Sequence, residues 1–167
     1  PEVPVLIGGI EASLRRVTHY DYWKDELMPS ILVDSQADML VYGMGEQPLR
    51  DLLRLVKSGV PLNEIKNVNQ IAYLENANVG EYNNWETLEL ASHEICLKDK
   101  IKYASNFKIV EVESNKWQAN RIIQKVGKQT LVINPPFVTM NEAEMDKSFD
   151  LPYTRQPHPK YKNRGAI

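Results

Sequence analysis

Cysteine is nearly absent: Cys96 is the single one in 167 residues. One thiol can neither close an intrachain disulfide nor supply the several ligands of a cysteine-built zinc or iron–sulfur site within this chain. A cysteine of this kind reads as a small buried hydrophobe rather than a reactive thiol. Charge of one sign is lacking as well. With 20 Lys and Arg against 22 Asp and Glu, the net charge of −2 leaves no basic footprint for nucleic acid. Long apolar runs are missing, and neither a membrane span nor a charged-then-apolar secretory leader is visible. The parent protein is therefore expected to be cytoplasmic, touching neither nucleic acid nor membrane. His19, His93 and His158 are scattered, with no metal-ligand spacing and no nucleophile–histidine–acid set. No catalytic residue and no metal ligand is assigned, and no internal repeat or low-complexity segment is present.

What is there fits one α/β core. The chain is 43% hydrophobic and 25% charged, ordinary for a soluble globular domain of this length. Two glycine signatures, Gly8-Gly9-Ile10-Glu11-Ala12-Ser13 and Gly43-Met44-Gly45-Glu46, each follow a short apolar run and precede a helical pattern. Val3 to Ile7 reads as a strand buried on both faces, and Met39 to Tyr42 as a second one parallel to it. A helix is expected from Glu11 to about Tyr20. Another should run from Glu46 to about Lys57, where Leu49, Leu52, Leu53 and Val56 recur at helical spacing, with Pro48 in the first turn and Gly59 past the end. A further short extended piece is expected at Ile31 to Val33. Both glycine turns then lie at the carboxyl edge of a parallel sheet, where backbone amides and helix N-termini converge on ligands.

Candidate site residues follow from that edge. Gly8 and Gly9 let backbone amides approach an anionic or bulky cofactor, with Ser13 as an extra donor and Glu11 as an acceptor; close helix–strand packing explains the same glycines equally well. Gly43, Gly45 and Glu46 carry the same two readings. His19-Tyr20-Asp21-Tyr22-Trp23 is the densest polar–aromatic cluster. His19 beside an aspartate offers acid–base chemistry, the aromatics a stacking surface, and Arg15 and Arg16 a clamp for carboxylate or phosphate. A capped, aromatic-packed helix end is the structural alternative.

Past Pro61, Gln70 to Leu74 and Gln129 to Asn134 read as the strands of a hairpin whose loop has grown into helices. One expected helix, Trp85 to about Phe107, carries Leu88, Ala91 and Ile95 on one side and Leu90, Leu97, Ile101 and Ala104 roughly opposite. Such a helix has two surfaces to cover, against the α/β body and against another domain or subunit, or else within its own insertion. A second helix is expected from Lys116 to Val126, ended by Gly127. From Phe137 the prolines at 152, 157 and 159 point to an extended tether, basic near its end.

The run Pro4 to Arg16, the cluster His19 to Trp23, Ala37 to Glu46, Val132-Ile133-Asn134-Pro135-Pro136 and Leu151 to Pro159 together resemble the YgiQ-like family of radical S-adenosylmethionine proteins. The resemblance implies a partial flavodoxin-like or cobalamin-binding-type parallel sheet with flanking helices, followed by a barrel whose CxxxCxxC cysteines hold a 4Fe-4S cluster. That cysteine motif is absent here, and the chain starts at Pro1-Glu2 and runs almost at once into a strand, as an excised piece would. The implied layout is the C-terminal part of an α/β domain at 1–66, a hairpin at 67–136 with a helical insertion at about 76–128, and a linker at 137–167 toward the barrel. Gly43 to Glu46 also resembles the Gly-Glu-Gly-Glu turn of cobalamin-type radical enzymes, with Met44 departing from it. The Asp-x-His-x-x-Gly ligand motif is missing, so cobalamin is unsupported. The resemblance implies a 4Fe-4S cluster and S-adenosylmethionine in the parent and no cofactor held by this chain alone. Its partners are then the barrel of the same polypeptide, a small-molecule ligand and, if the two-sided helix needs one, a second subunit. An independent nucleotide- or corrin-like binding module and a non-catalytic scaffold are the alternatives.

Overall fold

Side chains alternate across a strand, so the central strands of the sheet feed two cores at once. The computed structural model describes residues 3–76, 79–80, 83 and 85–161. The first apolar run gives β1 (Leu6–Ile7), and the glycine pair leads into α1 (Gly9–Leu14). That helix stops well before Tyr20. The next residues form β2 (His19–Asp21), which pairs antiparallel with β3 (Glu26–Met28). Asp21 drives the change by accepting the backbone N–H groups of Trp23 (2.9 Å) and Lys24 (3.1 Å), a local turn that competes with helix. Ile31 to Val33 is helical rather than extended: Ser30 accepts from the Leu32 amide and caps α2 (Ile31–Ser35). Then come β4 (Met39–Val41) and α3 (Glu46–Lys57), both where the sequence pattern puts them.

The second half departs further from expectation. After β5 (Ile71–Glu75), the single helix expected over Trp85 to Phe107 is instead β6 (Thr87–Leu90), α4 (His93–Lys98) and α5 (Lys100–Ser114). Ser92 caps α4 through the Ile95 amide. Asp99, in an extended conformation, ends α4 and caps α5 by accepting from Ile101 and Lys102. The two apolar stripes thus belong to three elements. The helix expected over Lys116 to Val126 is β7 (Arg121–Val126), and Gly127, at φ 58°, opens a two-residue hairpin turn into β8 (Gln129–Ile133) instead of ending a helix. Beyond Phe137 the chain is not wholly extended, because Asn141 and Glu144 form a reciprocal capping box that starts α6 (Glu142–Phe149).

Six strands form one sheet in the order β1-β4-β5-β8-β7-β6. The fold is α/β as expected, and the strands of the two glycine turns, β1 and β4, are parallel. β6 and β7 are parallel too, whereas the three inner pairings are antiparallel, so the sheet is mixed. The expected hairpin is present, with Ala72 opposite Ile133 and Leu74 opposite Leu131. Its insertion is a strand–helix–helix–strand unit that widens the same sheet. At the edge, β1 is only half-buried, with Val3 and Val5 exposed before it.

Leu40, Ala72, Leu131 and Ile133 point to the face covered by α1, α2 and the α5 residues Ile109 and Val110. Met39, Val41, Ile71, Tyr73 and Val132 point to the other, where Leu52 of α3, Ile65 and Val68 close the second core. Among the described residues no helix is long and apolar enough to cross a membrane.

Candidate functional site

Strand directions bring the ends of β1, β4 and β8 and the start of β5 to one edge of the sheet. Both glycine turns are there and are joined by one side chain. The Ser13 hydroxyl donates to the Gly9 carbonyl (2.7 Å) and accepts from the Gly43 amide (3.0 Å). Gly8 packs so closely that a Cβ would lie 3.2 Å from the Val41 carbonyl oxygen, and Gly43, at φ 66°, would bring a Cβ to 3.1 Å from Nε2 of Gln70. Close packing therefore accounts for both positions. Gly45 precedes α3, and Glu46 sits in its first turn, where a carboxylate suits the helix dipole.

A second layer of hydrogen bonds ties this edge to the Asn134-Pro135-Pro136 segment. Gln70, itself left-handed at φ 64°, donates its amide to the carbonyls of Tyr42 (2.6 Å) and Met44 (2.5 Å) and accepts from the Phe137 amide (3.2 Å). Its backbone N–H reaches the Pro135 carbonyl at 2.8 Å. Asn69 donates to the carbonyls of Pro135 and Pro136, and Asn134 to those of Lys66 and Val68. The Tyr42 hydroxyl donates to the Asn134 carbonyl (2.6 Å), and burial pushes that phenol well above its ordinary range, so it stays a neutral donor.

The chain that leaves β8 is thus held across the edge and roofs a cleft of about 460 Å³. Its walls include Tyr42, Gln70, Phe137, Met140 and Met145, with Ser13 and Gly43 at the glycine turns. Arg16 is its cationic group. The guanidinium lies over the Tyr42 ring, 5.0 Å from the centroid, and donates to the Ser13 carbonyl and the Ser114 hydroxyl (3.3 Å). Burial pushes it below its ordinary value, while Tyr42 and Glu111 pull the other way.

The structure separates Arg16 from its neighbour. Arg15 is paired to Glu11 (3.2 Å) and to Asp21 (2.8 Å) and is occupied by protein carboxylates. His19 does not pair with Asp21: its Nδ1 meets the Val17 carbonyl at 3.1 Å, Nε2 is buried with no hydrogen-bond partner among the described residues, and burial lowers its pKa. Tyr22 and Trp23 meet edge-to-face at the exposed end of the ribbon, 5.6 Å between centroids. Ser13 and Gly43 therefore line the cleft, whereas Glu11 and Arg15 are engaged in ion pairs outside its lining and His19 borders a separate cavity with Tyr103 and Phe107. Arg16 was legible only as one half of an arginine pair. Tyr42 and Gln70 carried no local signal, since their partners lie far away in sequence.

Across residues 1–167 the chain matches the family model described as Radical SAM N-terminal. It is 52% identical over 164 residues to a UPF0313 protein of Porphyromonas gingivalis, covering 98% of this chain and 26% of that protein. A UPF0313 protein of Bacteroides thetaiotaomicron is 49% identical over 179 residues, with 98% and 28% covered. The UPF0313 protein GSU2873 of Geobacter sulfurreducens is 41% identical over 160 residues, with 96% and 26% covered. The chain spans about a quarter of the length of these curated relatives. No solved structure matches it.

Proposed function

The chain belongs to the Radical SAM N-terminal family, and from that membership we propose that it is the recognition and packing portion of a radical S-adenosylmethionine enzyme whose chemistry resides beyond Ile167. The family implies a 4Fe-4S cluster and S-adenosylmethionine in the parent protein. This chain's residues do not fit the cluster itself. Cys96 is buried under a hydrogen bond from Asn106, and among the described residues no group of three His, Cys, Asp or Glu could hold a metal ion. The observation that carries the reading is the sheet edge. Two glycine turns, the Gln70 and Asn134 side chains and the Asn-Pro-Pro segment converge on a cleft that the outgoing chain roofs. Beside it, Met44, Phe149 and Tyr153 border an adjoining apolar hollow that the remaining polypeptide would cover.

The test is iron and acid-labile sulfide in the anaerobically purified full-length protein, with the 1–167 chain as control. About four irons per full-length chain, lost when cysteines beyond Ile167 become alanine, support the reading. A full-length protein without a cluster even after reconstitution overturns it.

A further inference from the structure

We propose that the cleft at the sheet edge binds the acidic group, carboxylate or phosphate, of a small amphipathic molecule on the Arg16 guanidinium, with the molecule's apolar body against Phe137, Met140 and Met145. This names a ligand class for the same site and rests on reading that edge as a recognition surface.

Three observations converge on Arg16. Among the described residues no carboxylate forms an ion pair with it, and Glu111 acts on its charge only from beyond ion-pair distance, whereas the adjacent Arg15 has two ion pairs. A guanidinium stays charged in proteins, so a partly desolvated one with no carboxylate in direct contact gains from a bound anion. Next, it is held still. The Tyr42 ring lies beneath it, and the Ser13 carbonyl and Ser114 hydroxyl each take one N–H, using two of the roughly five donors that a guanidinium carries. The other donors of the Arg16 fork have no hydrogen-bond partner among the described residues, and a guanidinium matches the two-oxygen geometry that carboxylates and phosphates present. Finally, the cavity it borders is mostly apolar, walled by Tyr42, Phe137, Met140 and Met145. One fixed cation in an apolar cleft of about 460 Å³ selects a molecule with one charged end and a hydrophobic remainder. Gln47 and Thr139 in the lining add polar groups to the cleft.

The experiment is calorimetric titration of the full-length protein with hexanoate, hexyl phosphate and hexanamide, which share one apolar body and differ in the head group. Saturable binding of at least one anion, about tenfold or more tighter than hexanamide, is expected, the factor matching the worth of one charge-assisted hydrogen-bond pair. Which anion binds tighter decides between carboxylate and phosphate. Arg16→Met should abolish the preference for charge, and Arg16→Lys should retain only part of it. Because Arg16→Met could unfold the edge, a second measurement uses the unaltered protein: the preferred anion should slow phenylglyoxal modification of Arg16, mapped by mass spectrometry. Equal binding of amide and anions, absence of saturable anion binding, or unprotected Arg16 overturns the proposal. Its failure is separable from failure of the family reading. A cluster-bearing protein blind to these anions sinks only the Arg16 site, and a cluster-free protein that binds them sinks only the radical chemistry.

Discussion

Removing the Gln70 side chain should loosen the edge more than any single substitution in the cluster His19 to Trp23. Gln70 makes three side-chain hydrogen bonds, to the carbonyls of Tyr42 and Met44 and from the Phe137 amide, and it is 6% exposed. At about 1 kcal/mol net for each, Gln70→Ala should cost about 3 kcal/mol. A companion variant sharpens the test. Residue 70 has φ 64°, so alanine keeps a left-handed strain of about 1–2 kcal/mol that glycine does not pay. Glycine loses about 0.5–1 kcal/mol through extra freedom in the unfolded chain, so Gln70→Gly should be slightly more stable than Gln70→Ala, reversing the usual order. Equilibrium urea unfolding of the chain, compared at the transition midpoints, reads both differences. A loss below about 1 kcal/mol for alanine would mean that water replaces the amide in the cleft, and the clamp argument would fail. Glycine less stable than alanine would refute the strain argument.

Glu113 and Cys96 give two further expectations. Burial pushes the Glu113 carboxyl up, but the Asn120 amide (2.9 Å) and Lys116 outweigh it and leave it below the ordinary value of 4.5. A lowered folded value contributes stability above 4.5 that is lost as pH falls through the folded value. Glu113→Gln should therefore weaken the chain near neutral pH and flatten its acid dependence, and an unchanged acid limb of the urea midpoint against pH would contradict this. Cys96 is buried, and burial pushes its thiol up against the opposing Asn106 hydrogen bond. A thiol reagent should modify it only as fast as the chain opens, and rapid stoichiometric labelling without denaturant would contradict its burial.

The parts of the fold that could be read were those in which local chemistry and global position agree. In α3, the stripe, Pro48 near the start and Gly59 beyond the end all give the same bounds, and the structure has them at Glu46–Lys57. β5 and β8 were legible because the central strands of a sheet are apolar on both faces. β7 was hidden by its polar interior. Arg121 and Gln124 are buried in it, and Gln124 is satisfied by the Thr18 amide, 106 residues away, and by the Ala91 carbonyl. A strand that buries such groups has no apolar alternation to find, so Gly127 reads as a helix end when it is a hairpin turn. β6 was lost for a related reason: Glu89 points outward beside Lys125, 3.8 Å away, and a charged residue between two leucines suits a helix as well as a strand.

The site was half legible by the same logic. Glycine turns after apolar runs are local signals, and they do meet at one edge through Ser13. Which arginine faces the cleft is not a local property. Arg15 and Arg16 are adjacent, and Glu11 four residues back marks Arg15 for an ion pair, yet Asp21 joins that pair only because α1 ends early and β2 folds back. That early end consumes Arg15 and leaves Arg16 against Tyr42, whose own place is fixed by Asn134 across the sheet. The cation in the cleft is therefore set by four separate segments, the end of α1, the end of β4, the end of α5 and the exit of β8. A change in any one of them should alter the charge that the edge presents before it alters the stability of the core, since Arg16 belongs to neither apolar cluster.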